Sequence, residues 1–319
     1  MVQTLKKYWF LVGLGLVFAV TVFDPTDMIA GAGRALRSVH GPDIIIFTVF
    51  LFSGYLLNPD QIRSGLTDMR ATLLALVLIF VIAPAYAAVI SFFPVSTGVL
   101  IGIFLVAVMP TTMSTGVVMT GASGGNPAHA LFVSVLSNSM AVLTIAVTLP
   151  LLLLFTGETA AVMLDARAMI QKIALSVLVP LIMGILARSF FKGPGALFFQ
   201  RVSMSNQLLI LAIVWMGVAQ AKPVLLGEWV AAGQIALLVL IFHLLMLATA
   251  FAATRLFSLG RGRMESVIFM GSQKTLPLSV ILQVSLFPEY GLALIVCVLH
   301  HLISLFVDGY LVGRFNKAV

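Results

Sequence analysis

The chain has 319 residues, 61% hydrophobic and 9% charged, with a net charge of +7 and a mean hydropathy of +1.15. This composition excludes a soluble globular domain and predicts a helical protein that crosses a membrane many times. The basic residues fall in short loops, where they set membrane orientation and do not imply nucleic acid, and the single cysteine, Cys297, excludes an intramolecular disulfide framework or thiolate metal site.

Ten apolar segments are predicted, at about 8–23, 42–58, 70–93, 97–121, 127–155, 169–191, 204–221, 229–257, 264–286 and 290–313. Lys6-Lys7 before the first segment imitates a secretory signal peptide. Its removal would leave nine spans and spoil the symmetry described below, so the segment is read as a span. One side of the membrane receives Lys6, Lys7, Arg63, Arg70, Arg188, Lys192, Arg201, Arg255, Arg261, Arg263, Arg314 and Lys317. The other receives Arg34, Arg37, Arg167, Lys172 and Lys222. The richer side is cytoplasmic by the positive-inside rule. Both termini then face the cytoplasm, which requires an even number of spans. The expectation is a multi-pass protein of a bacterial inner membrane, in contact with lipid and not nucleic acid, as a monomer or homodimer.

Segments 4 and 9 break the pattern. Segment 4 holds Pro110-Thr111-Thr112-Met113-Ser114-Thr115-Gly116, then Gly121, Gly124 and Gly125. Segment 9 holds Gly271-Ser272-Gln273-Lys274-Thr275-Leu276-Pro277-Leu278-Ser279. Proline cannot donate to a helical ladder, and a lysine at mid-membrane costs about 2.5–3.5 kcal/mol on insertion scales. Positions 4 and 9 are equivalent if a five-helix unit is used twice, the second copy inverted. Paired interrupted spans at matched positions are the sequence mark of a transporter site. The other reading is two Gly/Pro-rich helices that pack tightly.

Polar stripes follow each break. Ser134, Ser137 and Asn138 share one face of segment 5, and His300, Ser304 and Asp308 share one face of segment 10. Each stripe either lines the site or bonds neighbouring helices, at about 0.6 kcal/mol per bond. Asp308 lies near the cytoplasmic end of its span, within reach of the headgroups. His129 enters segment 5 close to the first break. Asn126 either caps that helix or belongs to the site. His243 stands alone in segment 8 and reads as a packing residue. Catalytic motifs are missing: neither HExxH nor GxxxxGK[ST] occurs. Gly121-Ala122-Ser123-Gly124-Gly125 matches GxSxG but follows a membrane segment, not a strand, and reads as a turn. The chain is therefore not expected to be an enzyme.

Phe50–Gly54, Pro110–Gly125, Asn126–Leu143 and above all Gly271–Ser279 together resemble the bile acid:sodium symporter family, in its SBF-like branch. The resemblance covers nearly the whole chain, and Gly-Ser-Gln-Lys-Thr-Leu-Pro is its most specific part. It implies an all-α membrane fold of ten helices in two inverted five-helix repeats, about 8–155 and 169–313. A panel domain (about 8–58 and 169–221) would face a core domain (about 70–155 and 229–313) in which helices 4 and 9 break and cross. The implied cargo is an organic anion, commonly a sterol-like acid, carried with sodium.

The implied sodium sites carry over in part. A Ser-Asn pair usual at the first break is Thr115-Gly116 here, and of two helix 5 hydroxyls one is Ala130 and the other Ser134. A helix 3 glutamine is Ile79, a helix 9 glutamate is Phe269, and the asparagine after Gln273 is Lys274. Ser134 and Gln273 are what remains for Na⁺. The expected site combines Thr112, Ser114, Thr115, Gly116, Asn126, Ser134, Ser137, Asn138, Ser272, Gln273, Lys274 and Thr275, with His129, His300, Ser304 and Asp308 as accessories. Two roles are open to Lys274. Its ammonium either replaces a sodium ion and attracts the anion, or it gains and loses a proton and couples transport to H⁺. A cation/proton antiporter of the same architecture is the alternative function, with Asp308 as its carboxylate, because Asp43 and Glu265 lie at span ends. A non-transporting membrane regulator would instead have a filled crossing with no cavity.

Overall fold

A computed structural model describes residues 2–39, 41–56, 68–113, 115–156, 171, 174–190, 195–227, 229–287 and 289–317. Ser114 lies outside them. Among the described residues every regular element is helical.

The chain opens with α1 (Val2–Phe23) and α2 (Met28–Ser38), which are bent by 108° at the join. Residues 24–40 read as a connection in the sequence, whereas the structure forms α2 there. Its cause is local. Pro25 ends α1, and the Asp24 carboxylate accepts from Thr26 N (2.9 Å) and Ile29 N (2.9 Å), starting a new helix. Helix α3 (Gly41–Leu56) follows, then α4 (Met69–Val77), a π-helical turn at Leu78–Ile82, and α5 (Ala83–Ile90).

Apolar segment 4 is two helices, α6 (Thr97–Val108) and α7 (Thr115–Ala122). Met109 leaves the helix in an extended conformation, and Pro110 follows it. The Ser123–Gly125 stretch after α7 is a turn, with Gly124 at φ +79°. Asn126 caps α8 (Pro127–Leu153), its Oδ1 accepting from Ala128 N and His129 N. A second π turn (Ala174–Leu178) leads into α9 (Val179–Phe190). Then come α10 (Ala196–Gly227) and α11 (Trp229–Leu256). Segment 9 is again two helices, α12 (Met264–Ser272) and α13 (Leu276–Leu286), and α14 (Gly291–Lys317) ends the chain.

Five helices are each long and apolar enough to cross a bilayer: Met69–Ile90, Pro127–Thr156, Leu197–Gln220, Ala232–Leu256 and Gly291–Phe315. With the bent α1–α2 pair the count reaches six among the described residues. The helices α3 and α6, and residues 174–190, are apolar but shorter.

Packing sorts the helices by partner. Helix α3 lies against α9 and α10, and α10 also against α1 and α2. The α3–α9 contact is backbone to backbone: a Cβ on Gly54 would stand 2.1 Å from Leu181 O, and one on Gly184 would stand 2.1 Å from Leu51 O. Small residues of this kind let membrane helices approach where hydrophobic sorting gives no drive. The rest pack around the two breaks: α6 against α14 and α8, α12 against α11, α4 and α7, and α11 against α14. The two groups meet mainly where α10 lies along α14.

Candidate functional site

The two breaks meet. Thr275 N–H, in the second break, donates to Pro110 O, in the first, at 3.0 Å. A broken helix leaves backbone groups without ladder partners, and in a membrane interior each needs another. Four consecutive carbonyls of the first break each find a donor from a different place. Met109 O accepts from Lys274 Nζ (3.0 Å), and Pro110 O from Thr275 N. Thr111 O accepts from Asn138 Nδ2 (3.1 Å), and Thr112 O from Ser134 Oγ (2.9 Å).

Lys274 is buried, with 2% of its surface exposed. Its Nζ donates to Ile79 O (2.8 Å), Ala107 O (2.9 Å) and Met109 O. Each acceptor is free for a structural reason. Ala107 O is in the last turn of α6, where carbonyls have no helical donor and the dipole is negative. The π turn sends Ala83 N–H to Leu78 O, and Pro84 has no N–H, so Ile79 O lacks a ladder partner. Three acceptors match the three N–H donors of an ammonium; a neutral amine has two.

Gln273 is the junction of the site. Its Oε1 accepts from Thr112 Oγ1 (2.7 Å) and Thr115 Oγ1 (3.2 Å). Its Nε2 donates to Asp308 Oδ2 (2.8 Å) and lies 3.0 Å from Met119 Sδ. Gly116 is small because a Cβ there would meet Met270 Sδ at 2.8 Å and Gln273 Oε1 at 3.0 Å. Its N–H donates to Thr112 Oγ1 (2.9 Å).

The other singled-out residues divide. Ser134 and Asn138 reach the first break. Ser137 donates to Ser134 O, Ser272 to Ile268 O and Ser304 to His301 O, all within their own helices. His129 bridges Thr72 Oγ1 (3.1 Å) and Ser266 Oγ (2.7 Å), tying α4 to α12 away from the crossing. Asn126 caps α8 and donates its N–H to Gly262 O (2.7 Å).

Asp308 is fully buried, and His243 Nε2 donates to its Oδ1 at 2.9 Å. His243 is therefore paired, and His300 stacks edge-on against it with ring centroids 5.7 Å apart. His301, which flanks the polar stripe on its helix, is 4% exposed, and its ring lies within hydrogen-bonding reach of the Lys274 backbone. No periodic signal could have joined His243 to Asp308, since their helices meet only in the fold. His301 was hidden because it flanks the stripe that begins at His300.

Between the crossing and α3 lies a cavity of about 30 Å³, lined by Phe50, Ser53, Thr112, Thr115, Thr275 and His301, among others. It holds about two waters, whereas an organic ligand needs several hundred Å³. A larger cleft of about 560 Å³, between Pro94–Val99 and α11, is lined mostly by apolar groups such as Leu237 and Ile241, and does not touch the crossing.

The sodium ion that the family resemblance implies does not fit this crossing. Lys274 Nζ already takes three carbonyls at the crossing, Gln273 Oε1 already accepts twice, and Ser134 Oγ donates to Thr112 O. Among the described residues no group of three His, Cys, Asp or Glu is placed to hold a metal ion.

Comparison with known proteins fits this architecture. The model of the SBF-like CPA transporter family matches residues 8–317. The chain is 29% identical to the probable sodium/metabolite cotransporter BASS4, chloroplastic, of Oryza sativa subsp. indica, over 96% of this chain and 78% of that one. It is 29% identical to the Arabidopsis thaliana protein of the same name, over 95% and 74%. It is 30% identical to the sodium/bile acid cotransporter 7 of Xenopus tropicalis, over 60% of this chain and 55% of that one.

Proposed function

The chain belongs to the SBF-like CPA transporter family, and from that premise we propose that it moves a small organic anion across the membrane by alternating access, without sodium. It is an integral, multi-pass membrane transporter and not an enzyme. The observation that carries the proposal is Lys274 Nζ donating to the Ile79, Ala107 and Met109 carbonyls, a set of three acceptors that suits an ammonium. It provides a fixed positive charge where a sodium ion would have to enter and leave.

The anion binds in the cavity between the crossing and α3. Thr112, Thr115 and Thr275 offer hydroxyls there, and His301 offers an imidazole. The cargo is a carboxylate, sterol-acid-like or smaller, as the names of the relatives suggest. At about 30 Å³ the cavity is closed around too little space for such an anion. Binding therefore requires the α1–α3, α9 and α10 group to move against the rest, a rearrangement for which the packing groups give the dividing line. Those groups are the panel and core of two inverted five-helix repeats. Both termini face the cytoplasm of a bacterial inner membrane, and the unit is a monomer or homodimer.

The test is thermal stabilisation of the purified protein by a mixture of keto acids and sterol acids, in sodium or choline, for wild type and Lys274→Gln. The expected result is equal stabilisation in both salts, lost in the variant. Stabilisation only in sodium would return the protein to sodium symport. No stabilisation in any condition would favour a second reading, a cation/proton antiporter, for which the buried Asp308 at Gln273 is the supporting observation.

A further inference from the structure

The geometry points to the His243–Asp308 pair as a proton site that drives anion movement, so that the protein is a proton/anion symporter. This rests on the transport reading above and supplies its coupling ion.

Asp308 has no exposed surface and takes one donor on each oxygen, His243 Nε2 at 2.9 Å and Gln273 Nε2 at 2.8 Å. His243 is equally buried. A carboxylate and an imidazole in direct contact can pass a proton between them. The amide and hydroxyls around them cannot. Lys274 is a poor carrier, because losing its proton would leave one of three carbonyls without a donor.

The neighbours of the pair support the assignment. On its own helix, α14, His300 and His301 face it, and Lys274 is within electrostatic reach of His300. Helices α6, α7 and α13, which pack on α14, bring no titratable group. Glu265, on α12, is held at its helix start by Arg261 (2.9 Å) and Gly262 N (2.7 Å). Lys222, on α10, is tied to Asp27 (3.0 Å) and Asp24 O (2.7 Å). Arg201 and Arg255 complete the charged residues of α10 and α11 in the described sequence. The ring nitrogens His243 Nδ1 and His300 Nε2 are buried without a protein partner, and the His301 ring meets the Lys274 backbone. His301 lines the cavity, so imidazoles extend from the pair to the cavity wall.

A second chain of contacts joins the pair to the anion. Asp308 holds Gln273 Nε2, and Gln273 Oε1 holds Thr112 and Thr115, which line the cavity. A proton on the pair removes the charge from the acceptor of Gln273, loosens the amide and frees both hydroxyls for the anion. One proton passes from water to the pair on the loading side and back to water on the other side. No bond to the cargo forms or breaks.

The test is infrared difference spectroscopy of the purified full-length protein in lipid, acid minus neutral, in choline and in sodium, with no added anion. Wild type is expected to show a protonated-carboxyl C=O band that Asp308→Asn lacks and that sodium leaves unchanged. His243→Gln keeps the carboxyl and is expected to shift the midpoint of the band by at least about one pH unit, as for any pair that shares a proton. That variant carries the test if Asp308→Asn does not fold. A spectrum unaltered by Asp308→Asn, a midpoint unmoved by His243→Gln, or a band abolished by sodium would each overturn the assignment. The readout needs no cargo. A failure here therefore leaves the anion reading standing, and a failure of anion binding leaves this result intact.

Discussion

The two breaks differ in what they contribute. The first, Met109–Thr115, presents backbone carbonyls and receives donors for four in a row. The second, Gln273–Thr275, gives up one N–H to the first but acts mainly through two side chains, Gln273 and Lys274. One break is held and the other holds. A matched pair in the sequence is thus an unequal pair in the structure, and the chemistry concentrates on the second.

The largest expected effect comes from removing the holder. Lys274→Met leaves three carbonyls without donors, each worth about 1–3 kcal/mol when orphaned in the interior. A loss of roughly 3 kcal/mol or more is expected, read as a lower midpoint of thermal unfolding in detergent. Gln273→Leu comes next. It strips one donor from Asp308 and the shared acceptor from Thr112 and Thr115, at about 2–3 kcal/mol. A variant as stable as wild type would mean the junction at Gln273 is not formed.

Changes in the first break should cost less. Gly116→Ala pushes a methyl against Met270 Sδ and Gln273 Oε1. Overpacking of this kind costs about 1–3 kcal/mol, at the low end here because the Met270 side chain can move.

The legibility of the sequence follows the same division. Both breaks could be read because proline and polar residues inside an apolar run are a local signal. The ammonium seat could not, since it needs a π turn in a third helix and the end of a fourth. For Asp308 the sequence leaves open a place at the headgroups or in the site, and the structure buries it against His243 and Gln273. His129 follows the first break closely in the sequence, and its ring bridges Thr72 and Ser266, partners that no local pattern reveals. The helix α2 was missed because eleven residues with few large apolar groups resemble a loop.

The smallest effect expected is at the α1–α2 corner, far from either break. The Arg34 and Lys222 cations beside Asp27 hold its carboxyl below the ordinary 3.8. Stability from a depressed carboxyl is complete above the unfolded value and lost as pH falls through the folded one. Asp27→Asn should therefore narrow the gap in thermal midpoint between neutral pH and pH below about 4, by little, because the group is exposed to solvent.

Under the proposed function, the Lys274 ammonium stands in place of a coupling sodium. Saturable binding of radioactive sodium to the purified wild-type protein tests it most directly, since no cargo is needed. No binding that excess unlabelled sodium can displace is expected, in wild type or in Lys274→Gln. Displaceable binding to the wild type would contradict it.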